Sequence, residues 1–206
     1  MIDSNAIVLQ QDAYGYRLPY RVRYPVELHV PPGFRPDVAA TWPRVDGRLE
    51  FVGGRLLYMP PCGDVQQDVA MSVAHVLMRW SQEHPEFVLG GNEAGMILGG
   101  ETRGADAAAW RKADVGVHTG GFRRVAPVLA VEIAGLDEGE PELRAKARWY
   151  LGHGVACVWL VLPETREVIV FGEAGESRCA TGSRLPSHPS LPDLTPEVAA
   201  FFSQLD

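Results

Sequence analysis

The sequence of 206 residues contains no apolar run long enough to cross a bilayer, and its first residues lack the basic start and apolar block of a secretory signal. Cysteine is scarce, and the three that occur have neither the spacing of a zinc site nor an even number for disulfide pairing. These absences argue against a membrane-spanning or secreted protein, and we expect a soluble protein of the reducing cytoplasm. The cysteines are Cys62, Cys157 and Cys179.

An excess of basic residues is also absent, because the formal net charge is −7. Proteins that hold nucleic acid by charge alone are usually basic, so the composition counts against a general DNA-coating role. Residues 101–148, however, contain eight basic and eight acidic residues, so the acidic excess lies elsewhere. If carboxylates of this segment bind a metal ion, the surface around them becomes locally positive, and a nucleic-acid substrate stays compatible with the sequence.

Two common kinds of site are missing from the sequence. The glycines of residues 88–100 are not followed by the lysine and hydroxyl residue of a phosphate-binding loop, which argues against a P-loop nucleotide site. The six histidines are scattered, and no two of them have the spacing of metal ligands. The remaining candidates for chemistry are carboxylates and basic side chains.

Strand and helix patterns alternate along the chain. Apolar residues recur at helical spacing over 64–84, with Asp64 as a candidate N-cap, and a second helix is predicted over 139–155, with Pro141 in its first turn. Short apolar runs, separated by glycines or by the residues ETR, predict strands and hairpins around these helices. The order β-β-α-β-β-β-β-α-β-β predicts an α/β (α+β) domain with a mixed β-sheet flanked by helices.

The two ends of the chain have different patterns. Residues 1–45 are rich in proline and without clear periodicity, which predicts an extended N-terminal arm, whereas residues 46–206 form the predicted domain. Residues 174–192 are predicted to form a loop, followed by a short closing helix over 195–205.

A glutamate stands in the middle of a predicted buried strand. In the segment PVLAVEIAG, alternation places Val128, Ala130 and Glu132 on one face and the apolar residues between them on the other. A buried ionised carboxylate is costly unless it is paired or binds a metal ion. Glu132 therefore needs a cation.

Two kinds of cation are candidates. A metal ion would require a second carboxylate, and Asp106 is the one acid in the small, apolar strand GADAAAW. The other candidate is Lys146, which lies beside Tyr150 at one edge of the apolar face of the second helix and is free to lean inward. Arg144 and Arg148 lie at the opposite edge of that face.

Two acids and a lysine around a hard cation form a set that hydrolyses phosphodiesters. Oxygen ligands of this kind suit Mg²⁺, with Mn²⁺ as a substitute. The metal lowers the pKa of a bound water and stabilises charge on the phosphate, while the lysine orients that water or neutralises the developing charge.

Four segments carry a family resemblance through their order along the chain. They are LEFVGGRLLYMPP, GADAAAW, PVLAVEIAG and ELRAKARWYLGHGVACVWLVLPETREVIVF. Together, from Trp42 to Phe171, they resemble the Uma-two family of endonucleases, which belongs to the restriction-endonuclease-like PD-(D/E)XK superfamily. The spacing of 26 residues between Asp106 and Glu132 is ordinary for that family. The resemblance implies a restriction-endonuclease-like fold and a DNA endonuclease.

The resemblance implies a role for each matching residue. Asp106 and Glu132 would be the metal ligands. Lys146 would be the catalytic lysine, and Glu50 would be an acid at the rim of the site. In the wider superfamily the lysine stands two residues after the glutamate, where this chain has Ala134, so here the lysine must come from the helix.

Departures from the family pattern leave alternatives open. Gln66 stands where the family often has histidine, and Ala105 stands where it usually has proline. A catalytically inactive protein of the same fold, binding nucleic acid or a protein partner, is therefore the alternative function, and hydrolysis of a smaller phosphodiester is a third. Asp114, in RKADVGV, is an alternative to Asp106 as the first acid of the site. Glu132 could instead pair with an arginine such as Arg103.

The resemblance also implies an assembly. Nucleases of the superfamily commonly pair to cut two strands, so we expect a homodimer that acts on DNA, without a membrane partner.

Overall fold

The computed structural model describes residues 11–12, 15–16, 24–136, 138–173 and 175–205. Its main body is a nine-stranded mixed sheet flanked by helices, which confirms the predicted fold class. The strands are β1 (Gln11–Asp12), β2 (Gly15–Tyr16), β3 (Val26–Leu28), β4 (Arg48–Val52), β5 (Arg55–Met59), β6 (Phe87–Leu98), β7 (Glu101–Arg111), β8 (Leu129–Ile133), β9 (Cys157–Leu162), β10 (Glu167–Gly172) and β11 (Gly175–Ala180). The helices are α1 (Asp64–Glu83), α2 (Lys112–Val115) and α3 (Glu140–Gly152), with 3₁₀ turns at Ala39–Thr41 and Val198–Phe202.

The main sheet has the strand order β11-β10-β9-β8-β7-β4-β5-β3, and β6 pairs with β7 beside this path. β8 and β9 are parallel neighbours, whereas the β7/β8, β6/β7 and β4/β5 pairs are antiparallel. A parallel pair requires a crossover connection, and α3 provides it between β8 and β9. The helix that follows the central strand is thereby placed against the sheet.

Two apolar layers lie on opposite faces of the sheet. Leu129, Val131 and Ile133 pack with α1 and the 3₁₀ turn at Val198–Phe202 on one face. Ala130 packs on the other face with residues of α3. Within β8 the predicted alternation is observed, and the face that carries Ala130 and Glu132 is the one that α3 covers. The prediction was wrong for Val128, which precedes the strand and packs with the opposite layer.

Part of the predicted arm packs against the main sheet, whereas β1 and β2 form a separate two-stranded sheet. β3 pairs antiparallel with β5 at the end of the sheet order. Further along, the Trp42 ring lies 5.4 Å from that of Phe34 and 5.3 Å from that of Phe122. The division of the chain near residue 45 stays a prediction, and residues 1–10, 13–14 and 17–23 of the predicted arm lie outside the described residues.

Several predicted elements differ from the structure in detail. α1 begins at Asp64 itself, so the cap position falls on Gly63 rather than on the aspartate. β6 is one long strand where two were predicted, with an irregularity between Gly91 and Ala94. Residues 175–180 of the predicted loop form β11, and the closing helix is only the 3₁₀ turn at Val198–Phe202. β11 escaped prediction because its residues, GESRCA, are mostly polar and exposed.

Candidate active site

The site lies in a gap along one edge of β7, between the residues that pair with β8 and the residue that pairs with β4. β6 pairs along the full length of β7, so β8 and β4 share the opposite edge. β8 pairs with Ala107–Ala109, and β4 meets the edge again only at Thr102. Asp106 lies in the gap between these two pairings, and β8 ends beside it. The topology therefore collects side chains from three strands at one point.

Asp106 is nearly buried in this gap, with 9% of its side chain exposed. Its Oδ2 accepts a hydrogen bond of 2.7 Å from the backbone N–H of Ile133, and its Oδ1 lies 3.5 Å from Nη1 of Arg48. Burial and the negative charge of Glu132 raise the pKa of Asp106 to about 7. The carboxyl is therefore close to half-protonated at neutral pH.

Glu132 is fully buried, and both of its carboxylate oxygens have partners. The Tyr150 hydroxyl donates to Oε1 at 2.6 Å, and Nζ of Lys146 donates to Oε2 at 3.0 Å. Burial alone would raise the pKa of Glu132, but the charges of Lys146 and Arg48 outweigh it and hold the pKa below its usual value. Glu132 is thus kept ionised in the interior.

Lys146 reaches the site from α3. Its side chain is buried and contacts Oε1 of Glu138 at 2.6 Å as well as Glu132. Burial alone would lower the pKa of Lys146, but Glu132 and the neighbouring Glu50 raise it above the usual value for lysine. The ammonium group therefore stays charged. The inward direction expected from its position on the helix is observed, while Arg148 at the opposite edge is exposed.

Glu50 comes from β4 and is buried. Its Oε2 accepts a 2.7 Å hydrogen bond from Nη1 of Arg103, whose guanidinium lies 5.1 Å from the centre of the Trp149 ring. Arg103, weighed above as a partner of Glu132, thus pairs with Glu50 instead. Oε1 of Glu50 is buried and has no partner within the described part of the chain.

Three residues of the site were missed by the sequence analysis: Arg48, Glu93 and Glu138. Arg48 contacts Asp106 and both of the other two. It stands two residues before Glu50 in a strand, so alternation alone places both on one face and could have found it. Glu93 and Glu138 lie in a strand irregularity and a loop, where sequence periodicity gives no direction for a side chain.

Two other candidates have different places. Asp114 is exposed in the short helix α2 rather than entering a strand, and it takes no part in this cluster. Gln66, at the start of α1, donates from Nε2 to the backbone carbonyl of Ile133 at 3.1 Å. Gln66 therefore supports the end of β8. Ala134 follows that end, and its N–H donates to the carbonyl of Val161.

The charges of the cluster do not balance. Five carboxylates face three basic groups, so the largely buried site carries two negative charges when all five acids are ionised, and the raised pKa of Asp106 is in line with this excess. The acids are Glu50, Glu93, Asp106, Glu132 and Glu138, and the basic residues are Arg48, Arg103 and Lys146. Such an imbalance is costly in a low-dielectric interior, and one divalent cation would neutralise it.

The donor set fits Mg²⁺ rather than zinc. Among the described residues, no three His, Cys, Asp or Glu side chains converge closely enough to hold a metal ion by themselves. Mg²⁺ is typically held by one or two carboxylates and keeps several waters or substrate phosphates. Asp106 and Glu132 supply two hard oxygen donors, and they fit this mode of binding.

An open groove of about 740 Å³ borders the site on one side. It runs between the start of α1, the loop from β8 to α3, and the turn between β9 and β10. Gln66, Ala134 and Glu138 line it. Glu138 contacts Lys146 and so joins the groove to the cluster, whereas Asp106 and Glu132 do not line it.

Comparison with known proteins agrees with this architecture. The Uma2 family model, described as "Putative restriction endonuclease", matches residues 36–200. A crystal structure from Anabaena variabilis, described as "a putative nuclease belonging to DUF820", superposes with a TM-score of 0.72 at 16% sequence identity. The superposition covers 84% of this chain and 99% of that one, and it shows the fold. No curated protein matches the sequence.

Proposed function

The chain belongs to the Uma2 family, and on this premise we propose that it is a Mg²⁺-dependent DNA endonuclease that hydrolyses phosphodiester bonds. In this proposal Asp106 and Glu132 hold the metal ion. Lys146 is the catalytic lysine, and Glu50 is an acid at the edge of the site. The observation that carries the proposal is that these side chains, which come from β4, β7, β8 and α3, converge at the gap between the β4 and β8 pairings along β7.

The electrostatics favour a role for Lys146 as a cation rather than as a base. Its pKa lies above the usual value, because Glu132 and Glu50 surround the ammonium group. A group that stays protonated donates hydrogen bonds and neutralises negative charge. We therefore assign Lys146 to orienting the attacking water or to stabilising charge on the phosphate.

Glu132 and Asp106 have different tasks in this proposal. Tyr150 and Lys146 hold Glu132 ionised and fix both of its oxygens. Asp106 is oriented by the N–H of Ile133 and loses its proton near neutral pH, which prepares it to bind a cation. Bound Mg²⁺ would supply a water of lowered pKa and Lewis-acid stabilisation of the phosphate.

Substitution of the acids tests the assignment. Asp106→Ala and Glu132→Ala are expected to abolish the cutting of plasmid or linear DNA in the presence of Mg²⁺ or Mn²⁺, because each removes a metal ligand. Lys146→Met is expected to slow cutting by about 10²–10³-fold, as removal of a group that stabilises the transition state does. The measurement is single-turnover cleavage followed on gels.

Asp114→Ala is the matched control, because Asp114 is an exposed acid outside the cluster. Its activity is expected to equal that of the wild type. Cutting that survives both Asp106→Ala and Glu132→Ala, or that is lost in Asp114→Ala, would contradict the site assignment. A panel of smaller phosphodiesters in the same assay separates DNA cleavage from hydrolysis of a small substrate.

A second function is supported by the hydrogen bonds that Glu132, one of the two proposed metal ligands, already makes within the chain. Both oxygens of Glu132 are bonded within the chain. Gln66 stands where the family often has histidine, and Ala134 stands where the wider superfamily has its lysine. These features favour a catalytically inactive protein of the same fold that binds nucleic acid or a protein partner. Calorimetric titration with Mg²⁺ separates the two functions, since absence of binding at millimolar Mg²⁺ supports the inactive one.

A further inference from the structure

An irregularity in β6 lies directly opposite Asp106. In the pairing of β6 with β7, Gly91 faces Ala107 and Ala94 faces Ala105, so two residues of β6 stand against the single aspartate. One of them is Glu93, whose φ of 62° lies in the left-handed region. This conformation is unfavourable for a residue with a side chain, whereas glycine adopts it freely. The chain nevertheless carries a glutamate there.

The neighbouring strand leaves space for this glutamate. A Cβ atom on Gly104 of β7 would lie 3.3 Å from the Cβ and the carbonyl oxygen of Glu93, which is tighter than ordinary contact. The missing side chain lets Glu93 lie against β7. Strand irregularities next to functional sites commonly redirect a side chain, and here the redirected group is a carboxylate aimed at Arg48.

Arg48 is shared between Glu93 and the site. Its Nη1 donates to both oxygens of Glu93, at 3.3 and 3.1 Å, and lies 3.5 Å from Oδ1 of Asp106. Its Nη2 lies 3.4 Å from Oε2 of Glu138. Only 11% of the Arg48 side chain is exposed, against 41% for Glu93. One nearly buried guanidinium therefore bridges Asp106, a proposed metal ligand, and Glu93, a more exposed acid of the same cluster.

A permanent charge at this position acts on any cation that Asp106 binds. The guanidinium does not lose its proton in proteins, so the repulsion between it and a divalent cation on Asp106 cannot be relieved by titration. The contact with Glu93 is the shorter one, by the distances above. Glu93 thus offers Arg48 an alternative partner when Asp106 binds a cation.

We propose that Arg48 is a positioning residue that competes with the divalent cation for Asp106, and that Glu93 holds Arg48 back from it. This inference rests on the proposed metal site. When no metal is bound, Arg48 is the counter-ion of Asp106. The relative strength of the interactions of Arg48 with Glu93 and with Asp106 then sets how tightly the metal binds. The consequence is a site with moderate metal affinity, because Arg48 offsets part of the negative charge of Asp106.

Calorimetric titration of the full chain with Mg²⁺ at pH 9 tests the proposal. Arg48→Met is expected to tighten Mg²⁺ binding about tenfold, because it removes a positive charge next to the ligand. Glu93→Gln is expected to weaken binding about tenfold, because it releases Arg48 toward Asp106 and removes a negative charge. Arg48→Lys and Glu93→Asp keep the charges, so they are expected to stay within about threefold of the wild type if charge rather than hydrogen-bond geometry sets the affinity.

Arg184→Met and Glu197→Gln provide matched controls. This exposed pair, with atoms 3.0 Å apart, lies in the C-terminal segment outside the site. Its loss is expected to leave the Mg²⁺ affinity unchanged. Circular dichroism and thermal unfolding of every variant establish that each is folded, and if Arg48→Met fails to fold, Glu93→Gln and Glu93→Asp decide the question.

The outcomes separate this inference from the proposed function. A purely structural role of Arg48 would loosen the site and weaken binding on substitution, so unchanged or weaker Mg²⁺ binding by folded Arg48→Met overturns the inference while the metal site stands. Unchanged binding by Glu93→Gln overturns the part played by Glu93. If the wild type and Arg48→Met both fail to bind Mg²⁺, the proposed function fails and this inference with it.

Discussion

Asp106 and Glu132 are neighbouring acids whose pKa values are shifted in opposite directions. Burial and the charge of Glu132 raise the pKa of Asp106 to about 7. For Glu132, burial is outweighed by Lys146 and Arg48, and the pKa lies below its usual value. Acids whose environments separate their pKa values in this way are typical of catalytic sites, since one stays charged while the other exchanges a proton.

The raised pKa of Asp106 predicts a pH-dependent effect of Asp106→Asn on stability. The folded state binds the proton more tightly than the unfolded state, so this group reduces stability increasingly as the pH rises from about 4 to 7. The asparagine variant carries no charge and escapes this penalty. Its gain in the free energy of unfolding over the wild type is expected to be about 2–3 kcal/mol larger at pH 8 than at pH 5.

Urea unfolding of the metal-free protein in a chelator at the two pH values measures this difference. Comparing the same pair of proteins at both values cancels the constant effects of exchanging a carboxyl for an amide. Asp114→Asn, which changes an exposed acid, is the control. Its difference from the wild type in the free energy of unfolding is expected to be the same at pH 5 and at pH 8. An equal gain for Asp106→Asn at pH 5 and pH 8 would contradict the raised pKa.

The sequence predicted some residues of the site and not others, for a physical reason. Glu132 and Lys146 were found because strand alternation and helical spacing give the direction of a side chain relative to its own element. Arg48 and Glu138 meet across 90 residues of sequence, and no local pattern reports such a contact. Glu93 depends in addition on a left-handed residue in a strand irregularity, which periodicity cannot show.

At the scale of elements, α3 joins the core to the site. Its first turn contains Pro141 with glutamates at 140 and 142, which suits the start of a helix. Leu143 and Ala147 are fully buried, and they fix the helix against the sheet. Lys146 and Tyr150 lie within the same buried stretch, so packing of the helix determines where both groups that hold Glu132 are placed.

Loss of packing in α3 is expected to destabilise the protein. Leu143→Ala removes a fully buried side chain and is expected to lower the free energy of unfolding by about 2–5 kcal/mol. Ala145→Gly is the control on the exposed face of the same helix, and about 0.5–1 kcal/mol is expected there. Chemical unfolding measures both, and equal effects of the two changes would contradict the packing argument.

Elements with a strong apolar period were predictable, and those without one were not. α1, α3 and the β9–β10 hairpin follow the expected patterns. β11 has no such period, because as the last strand of the sheet order it needs no apolar face. The turn at Val198–Phe202 contains three buried residues, so the apolar pattern that predicted a helix here correctly indicated burial. Its backbone, however, has 3₁₀ rather than α-helical geometry.

For the whole molecule, homodimer formation is the remaining expectation from the superfamily. A nuclease that cuts both strands of DNA commonly presents two sites, so we propose that two copies of the chain associate. Light scattering coupled to size-exclusion chromatography is expected to give twice the mass of one chain across a range of concentrations. A mass equal to that of one chain throughout this range would refute the proposal.

Membrane spanning, cellular location and substrate are three separate properties of the whole molecule. Among the described helices, none is long and apolar enough to span a membrane. The predicted cytoplasmic location and DNA substrate stay proposals. The net charge of −7 means that DNA would be attracted by a local arrangement of charges rather than by the surface as a whole.

The gap between the β4 and β8 pairings along β7 also bears on the order of folding. β4 reaches β7 through a pairing of Phe51 with Thr102, residues that lie 51 positions apart in the sequence. Pairings so distant in sequence form slowly, so we expect Glu50 and Asp106 to stay hydrated until these strands meet. Lys146 and Tyr150 lie only 14 and 18 residues from Glu132, so they are able to offset the desolvation of that carboxylate before β4 arrives. We therefore expect the buried ion pair to form early and the site to be completed late, when Arg48 of β4 reaches Asp106.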